Sequence, residues 1–159
     1  MNKSKTFCER YLPHGRRVYA TAYNLLRDRD DANDVVQEVF ARLWQMRDRI
    51  DPAQDPLPLM LTMTRNMAIN KLKTKYRELA TDAITSFDAA VEMPNIAEND
   101  IMQLLDLLPQ KHRLVFTLRT FEGLDFVEIG RLTGYSQDNI RQMLSRARKQ
   151  LKQLIDNDI

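Results

Sequence analysis

Cysteine is almost missing from this sequence. Cys8 stands alone among 159 residues, so no internal disulfide is available and a disulfide-held scaffold is excluded. Glycine is scarce, with four residues. No Asn-Gly or Asp-Gly turn occurs and alternating β-branched runs are absent, which argues against a sheet. Long apolar runs are missing too. The longest candidate, 57–63, contains Pro58 and Thr62, well short of the roughly 18 residues that cross a bilayer. The basic start Met1-Asn-Lys-Ser-Lys leads into no apolar signal core. Together with the lone cysteine, this sets the expectation of a cytoplasmic protein. Cys8 itself reads as a plain, partly buried residue.

Histidine is limited to His14 and His112, far apart and without a ligand-spaced partner, so no metal site is expected. No Gly-rich phosphate loop occurs. The acids Asp28, Asp30, Asp31 and Asp34 cluster where a helix begins, and capping accounts for them. An enzyme is therefore not expected, and neither are catalytic residues, a cofactor or a small-molecule substrate. The remaining composition, 43% apolar and 29% charged, is that of a folded protein, sized for one domain or two small ones.

Net charge is nearly absent as well, at +2, but it is a cancellation. Residues 1–78 hold 15 Lys and Arg against 10 acids, and residues 101–159 hold 9 against 7. Residues 79–100 hold no base and five acids: Asp82, Asp88, Glu92, Glu98 and Asp100. That stretch also lacks a sustained apolar period and contains Pro94, so it reads as a linker between two basic segments.

What is abundant is helical periodicity. Ala32, Val35, Val36, Val39, Phe40, Leu43, Trp44 and Ile50 trace one helix face, with Asp30 or Asp31 as cap. Pro52, Pro56 and Pro58 then break the chain. Flanking helices are expected over about 15–27, with Val18, Ala22, Leu25 and Leu26, and over about 59–77, with Met60, Met63, Met67 and Leu72. The C-terminal segment reads as four helices. Pro109 suits the first turn of the second, Asp125 and Glu128 form a capping box, Gly123 and Gly134 end helices, and Ser136 caps the last. That last helix carries Ile140, Met143, Leu144, Ala147, Leu151, Leu154 and Ile155. The expected fold is all-α: two small helical domains, an N-terminal bundle and a C-terminal four-helix domain, joined by a flexible linker.

Three constellations suggest function. A short helix, a Gly-containing turn and a longer capped helix around Thr133-Gly134-Tyr135 are the parts of a helix-turn-helix. The long helix presents Gln137, Asp138, Asn139, Arg141, Gln142, Ser145, Arg146 and Lys149. Arg can fork onto guanine and Gln onto adenine, while Ser and further bases hold phosphates. A second stretch, 65–77, contains Arg65, Lys71, Lys73, Lys75 and Arg77 without an acid, interleaved with Asn66, Asn70 and Tyr76. Such a stretch suits a single nucleic-acid strand. Third, Asp34, Gln37 and Glu38 share one helix face by their i, i+3 and i+4 spacing. An acidic face in a protein otherwise suited to an anion suggests a protein partner. His112, between Lys111 and Arg113, reads as a surface or phosphate contact.

Residues 31–44 resemble the Asp-Ala-Glu-Asp-x-x-Gln-Glu-x-Phe-x-x-x-Trp segment in the second conserved region of bacterial sigma factors. Residues 107–116, 122–130 and 136–151 resemble the fourth region. The short length, with two regions and a linker, is similar to the extracytoplasmic-function group. The resemblance implies a region 2-like domain at 1–78, an acidic linker at 79–100 lying along a polymerase channel, and a region 4-like domain at 101–159. It implies that Asp34, Gln37, Glu38 and Trp44 bind core RNA polymerase, with a plain core position as the alternative for Trp44. The Pro-rich loop 50–58 would meet a flipped base of the promoter −10 element, and Arg65, Asn66, Asn70, Lys71 and Lys73 would hold that strand. The last helix would read the −35 element.

Partners implied are core polymerase, promoter DNA and an anti-sigma factor, often membrane-bound in this family. Leu59 stands where the family often has Trp, and Asn70 and Lys73 where Asp and Arg are frequent. Asn139 replaces a common Thr, and Gln142-Met143 a common Ser-Arg. The role carries over; the promoter sequence does not. The alternative is a helix-turn-helix regulator that is not a polymerase subunit, which leaves residues 31–44 unexplained.

Overall fold

The computed structural model describes residues 3–81 and 101–157, all helices, turns and loops. The chain divides into two compact units, Met1–Tyr76 and Arg77–Ile159.

The N-terminal unit begins with a helix that the apolar pattern did not announce, α1 (Lys3–Tyr11), followed by a 3-10 turn at Leu12–His14. Mean hydropathy along α1 is low, and its inward face is two aromatics one turn apart, Phe7 and Tyr11. Cys8 lies on its outer side and is exposed, not partly buried. Helix α2 (Gly15–Leu26) buries Val18, Ala22, Leu25 and Leu26 as the pattern predicts. It ends when Arg27 turns left-handed, at φ 54°, and donates its backbone N–H to Tyr23 O.

Helix α3 (Arg29–Met46) packs along α2 through Ala32, Val35, Val39 and Leu43. Its cap is Asp28 rather than Asp30 or Asp31: Asp28 is extended, and its Oδ1 accepts from Asp31 N at 3.0 Å. The helix stops at Met46, so Ile50 lies beyond it. Helix α4 (Leu57–Thr81) starts earlier and ends later than its apolar pattern. Pro58 sits inside its first turn, where a missing N–H costs nothing because that donor would be unpaired anyway. Met60, Leu61, Met63, Ala68, Ile69 and Leu72 are its buried face. Beyond Thr81, the acidic segment 82–100 with its five acids lies outside the described residues.

The C-terminal unit contains α5 (Ile101–Leu105), α6 (Gln110–Thr120), α7 (Phe126–Thr133) and α8 (Gln137–Asn157). Pro109 is the residue before α6, not its first turn; its ψ of 142° is non-helical. Helix α6 packs against α8 and α7 against both. Leu105, Val115, Leu118, Ile129, Ile140, Leu144 and Ala147 are almost fully enclosed. Steps of 3, 1, 3 and 4 from Ile140 through Leu151 keep this stripe on one face of α8. The stripe ends there: Ile155 is 47% exposed.

Candidate nucleic-acid and protein interfaces

The α7–α8 pair is built by local hydrogen bonds that the sequence chemistry dictates. Asp125 Oδ1 accepts from Glu128 N at 2.8 Å and starts α7. Gly134, at φ 82°, closes it by donating its N–H to Gly130 O at 2.8 Å. Thr133 Oγ1 donates to Ile129 O and accepts from Tyr135 N, which pins the turn. Ser136 Oγ accepts from Asn139 N at 3.1 Å and opens α8. The turn folds tightly onto α7: a Cβ at Gly130 would lie 3.1 Å from Tyr135 O and 3.7 Å from Ile140 Cδ1. Partial burial raises the Tyr135 phenol above its ordinary pKa.

Against this scaffold, Gln137, Asp138, Asn139, Arg141, Gln142, Ser145, Arg146 and Lys149 are all exposed. Met143 points into the core at 7% exposure. Asp138 and Arg141 approach at 3.7 Å while remaining 90% and 61% exposed, so both stay open to a ligand. Phe126 at the start of α7 lies beneath two guanidinium groups, Arg119 at 5.3 Å and Arg141 at 5.6 Å from its ring centre. That packing was not apparent in the sequence, because the three residues are on three different helices. His112 is half-buried with Nδ1 3.3 Å from Gln150 Oε1, so it ties α6 to α8. The residue expected to be a surface or phosphate contact thus has its Nδ1 turned toward α8. Arg113 beside it pairs with Asp106 at 3.6 Å.

In the N-terminal unit, Asp34, Gln37 and Glu38 are exposed on α3, opposite the buried stripe. Trp44, one helix turn beyond Phe40, is half-buried and partly committed to its own fold. The Phe7 ring meets it edge-on at 5.2 Å, and the Arg47 guanidinium covers its face at 3.9 Å.

On α4, Asn66 and Asn70 are exposed, while Arg65, Lys71 and Lys73 are half-buried. The basic stretch runs beside the acidic start of α3. Lys71 Nζ lies 3.3 Å from Asp34 Oδ2 and 3.9 Å from Asp31 Oδ1. Lys75 Nζ lies 3.0 Å from Asp31 Oδ2 and 3.7 Å from Asp28 Oδ2. The hydrogen bond to Asp31 and the nearby acids raise the Lys75 pKa. The Asp31 backbone N–H, with a smaller contribution from Lys75, lowers that of Asp28. One acid expected to face a protein, Asp34, and one base expected to face the strand, Lys71, are therefore ion-paired neighbours.

The loop after α3 carries no deeply buried side chain between Asp51 and Asp55. Two carboxylates shape it: Asp51 Oδ1 accepts from Ala53 N and Asp55 Oδ1 from Leu57 N. Leu59 is half-buried at the start of α4. Among the described residues no group of three metal-ligating side chains converges. No described helix is long and apolar enough to cross a membrane.

The family model for Sigma-70 region 2 matches residues 10–78, and that for Sigma-70 region 4 matches residues 98–151. The ECF RNA polymerase sigma factor SigW of Bacillus subtilis is 24% identical, over 88% of this chain and 84% of its own length. This chain belongs to the RNA polymerase sigma factors of the extracytoplasmic-function group. The sigma factor SigV of the same organism is 26% identical, over 92% of this chain and 89% of its own. A solved structure, the sigma factor RpoE with the anti-sigma factor NepR from Bartonella quintana, shares the all-helical fold. Its TM-score is 0.59 at 22% identity, covering 98% of this chain and 99% of that one.

As an extracytoplasmic-function sigma factor, the protein is a transcription-initiation factor that directs promoter-specific transcription by RNA polymerase. The region 2 match favours this over a lone helix-turn-helix regulator, which has no use for such a domain.

Proposed function

We propose that the sigma factor divides its task between two surfaces of the N-terminal unit and one of the C-terminal unit. Asp34, Gln37 and Glu38, with Trp44 at the edge, bind core RNA polymerase. Arg65, Asn66, Asn70, Lys71 and Lys73 hold the non-template strand of the −10 element. The loop 50–58 receives the base flipped from it, which offsets the cost of opening the duplex. The exposed face of α8 reads the −35 element in the major groove, with Gln137, Asp138, Asn139 and Arg141 nearest the base edges. Gln142, Ser145, Arg146 and Lys149 extend that contact to later bases and phosphates.

The working division is 1–78 for polymerase and the −10 element, 79–100 as acidic connector and 101–159 for the −35 element. The protein acts by binding, without a catalytic centre of its own, in the cytoplasm. The solved RpoE structure holds an anti-sigma factor, and a partner of that kind is proposed for this chain too.

The observation that carries the polymerase assignment is the bare Gln37–Glu38 pair. Both side chains are exposed on a helix whose opposite face is sealed by Val35, Val39 and Leu43. Replacing both with Ala changes fold stability by less than about 0.5 kcal/mol, as for other surface substitutions. It should weaken core polymerase binding by about tenfold, the loss expected when two polar contacts disappear. Pull-down and run-off transcription with purified core polymerase test this; unchanged binding by the double variant would remove the assignment. Sequencing the 5′ ends of transcripts made on genomic DNA by the reconstituted enzyme identifies the promoters.

A further inference from the structure

The loop between α3 and α4 has little to hold it in place by its own side chains. Asp51, Pro52, Ala53, Gln54 and Asp55 are all exposed, so no apolar burial anchors them. Its internal bonds are local. Asp51 Oδ1 accepts from Ala53 N at 2.9 Å, Gln54 N donates to Asp51 O at 3.3 Å, and Asp55 Oδ1 accepts from Leu57 N at 3.0 Å. These bonds shape the turn but do not orient it against the helices.

Orientation comes from α1. Arg10 Nη2 donates to Asp51 O at 2.7 Å and to Gln54 O at 2.9 Å. The two carbonyls are the first and fourth of one turn, so a single guanidinium clamps both ends across 41 and 44 residues of sequence. The clamp has a firm base. Tyr11 next to Arg10 is 2% exposed. Phe7, one turn earlier, meets Tyr11 at 4.6 Å and Trp44 on α3 at 5.2 Å between ring centres. The Arg10 guanidinium also lies 5.3 Å from the Tyr11 ring centre. Helix α1 is thus docked by aromatics and reaches the loop by a charged donor, whose bonds to carbonyls are stronger than neutral ones.

We infer that Arg10 is a positioning residue for promoter opening: it pre-orders the turn 51–54 so that the loop is already shaped when the −10 base leaves the stack. A loop that must order itself on capture subtracts that entropy from the capture energy, and a pre-ordered one does not. The inference rests on the proposed contact between this loop and the −10 element.

The test uses the full chain with core polymerase on a promoter fragment recovered by the transcript mapping, with 2-aminopurine at the −10 element reporting the unstacked base. Arg10→Met keeps the stem over Tyr11 and removes the donors. It should lower the open fraction about fivefold, the equivalent of about 1 kcal/mol of loop ordering. Core affinity and helical content should stay unchanged. Arg10→Lys should recover part of the signal, because its ammonium, one bond short of the Nη2 position, keeps a charged donor facing the two carbonyls. Ala53→Glu is the companion variant: it places a carboxylate on the exposed turn, where it would repel the strand.

Lowered opening in Arg10→Met with intact core affinity and rescue by lysine supports the inference. Parental opening by Arg10→Met, with Ala53→Glu impaired, overturns it and leaves the loop's role standing. Parental opening by both overturns the loop's role and the inference together. Loss of core affinity in Arg10→Met that lysine does not restore assigns Arg10 a merely structural part and overturns it as well.

Discussion

Replacing Lys71 by Met should strengthen one interaction of this sigma factor and weaken another. In the free protein the Lys71 ammonium lies 3.3 Å from the Asp34 carboxylate, and Asp34 belongs to the proposed polymerase face. At that separation the Coulomb attraction in water is about 1.3 kcal/mol. The side chains are 34% and 62% exposed, and holding them together costs rotamer freedom, so the net value is about 0.5 kcal/mol.

If polymerase takes Asp34 for itself, that amount is lost on binding. The Met variant loses nothing, and its core affinity should rise about twofold. The gain should shrink as salt is raised, because exposed pairs are screened. Stability should move by less than about 0.5 kcal/mol. The same variant removes a proposed phosphate contact on the −10 strand. Binding of single-stranded −10 oligonucleotide by the assembled enzyme should therefore weaken, with the log–log salt slope reduced by about 0.7. Anisotropy titrations of labelled protein with core polymerase, and of labelled oligonucleotide with the assembled enzyme, read the two effects separately. Weaker core binding by the Met variant, or equal core binding at low salt, would refute competition for Asp34.

Gly134→Ala should destabilise the C-terminal unit without crowding it: a Cβ there meets nothing within 4 Å, but the backbone sits at φ 82°. The expected cost is about 1 kcal/mol, seen as about fivefold faster hydrogen exchange at Ile129 and Leu144; unchanged exchange would contradict it. The contact between the start of α3 and α4 should loosen at both pH extremes. Asp28 is held below its ordinary value by the Asp31 N–H and Lys75. Its contribution is present above the ordinary carboxylate range and lost as pH falls through the depressed folded value. Lys75 is raised by Asp31, so its contribution is complete below its ordinary value and lost as pH rises through the raised one. Melting temperature against pH for the parent and Asp28→Asn checks the acid side; parallel curves would count against it.

The sequence by itself determined the helical class and the inward faces of α2, α3 and α8. Helical periodicity is a local property of the chain, and burial follows it wherever one face is apolar, as at Val35, Val39, Ile140 and Leu144. Caps were legible for the same reason, since Asp125 and Ser136 bond to amides three residues on. Asp28 was the exception, one acid among several in a row. The exposed set on α8 followed directly from that helix's buried stripe.

Tertiary structure alone decided which charges meet. Lys71 and Asp34 are 37 residues apart, and Arg10 and Asp51 41 apart. No local pattern encodes such pairs, because they depend on how helices cross and where a turn comes to rest. The same holds for Trp44, whose half-buried ring meets Phe7 of α1 edge-on. Helix α1 was invisible to periodicity because two aromatics among polar residues make too short a stripe; packing against α3 supplies what the local pattern lacks.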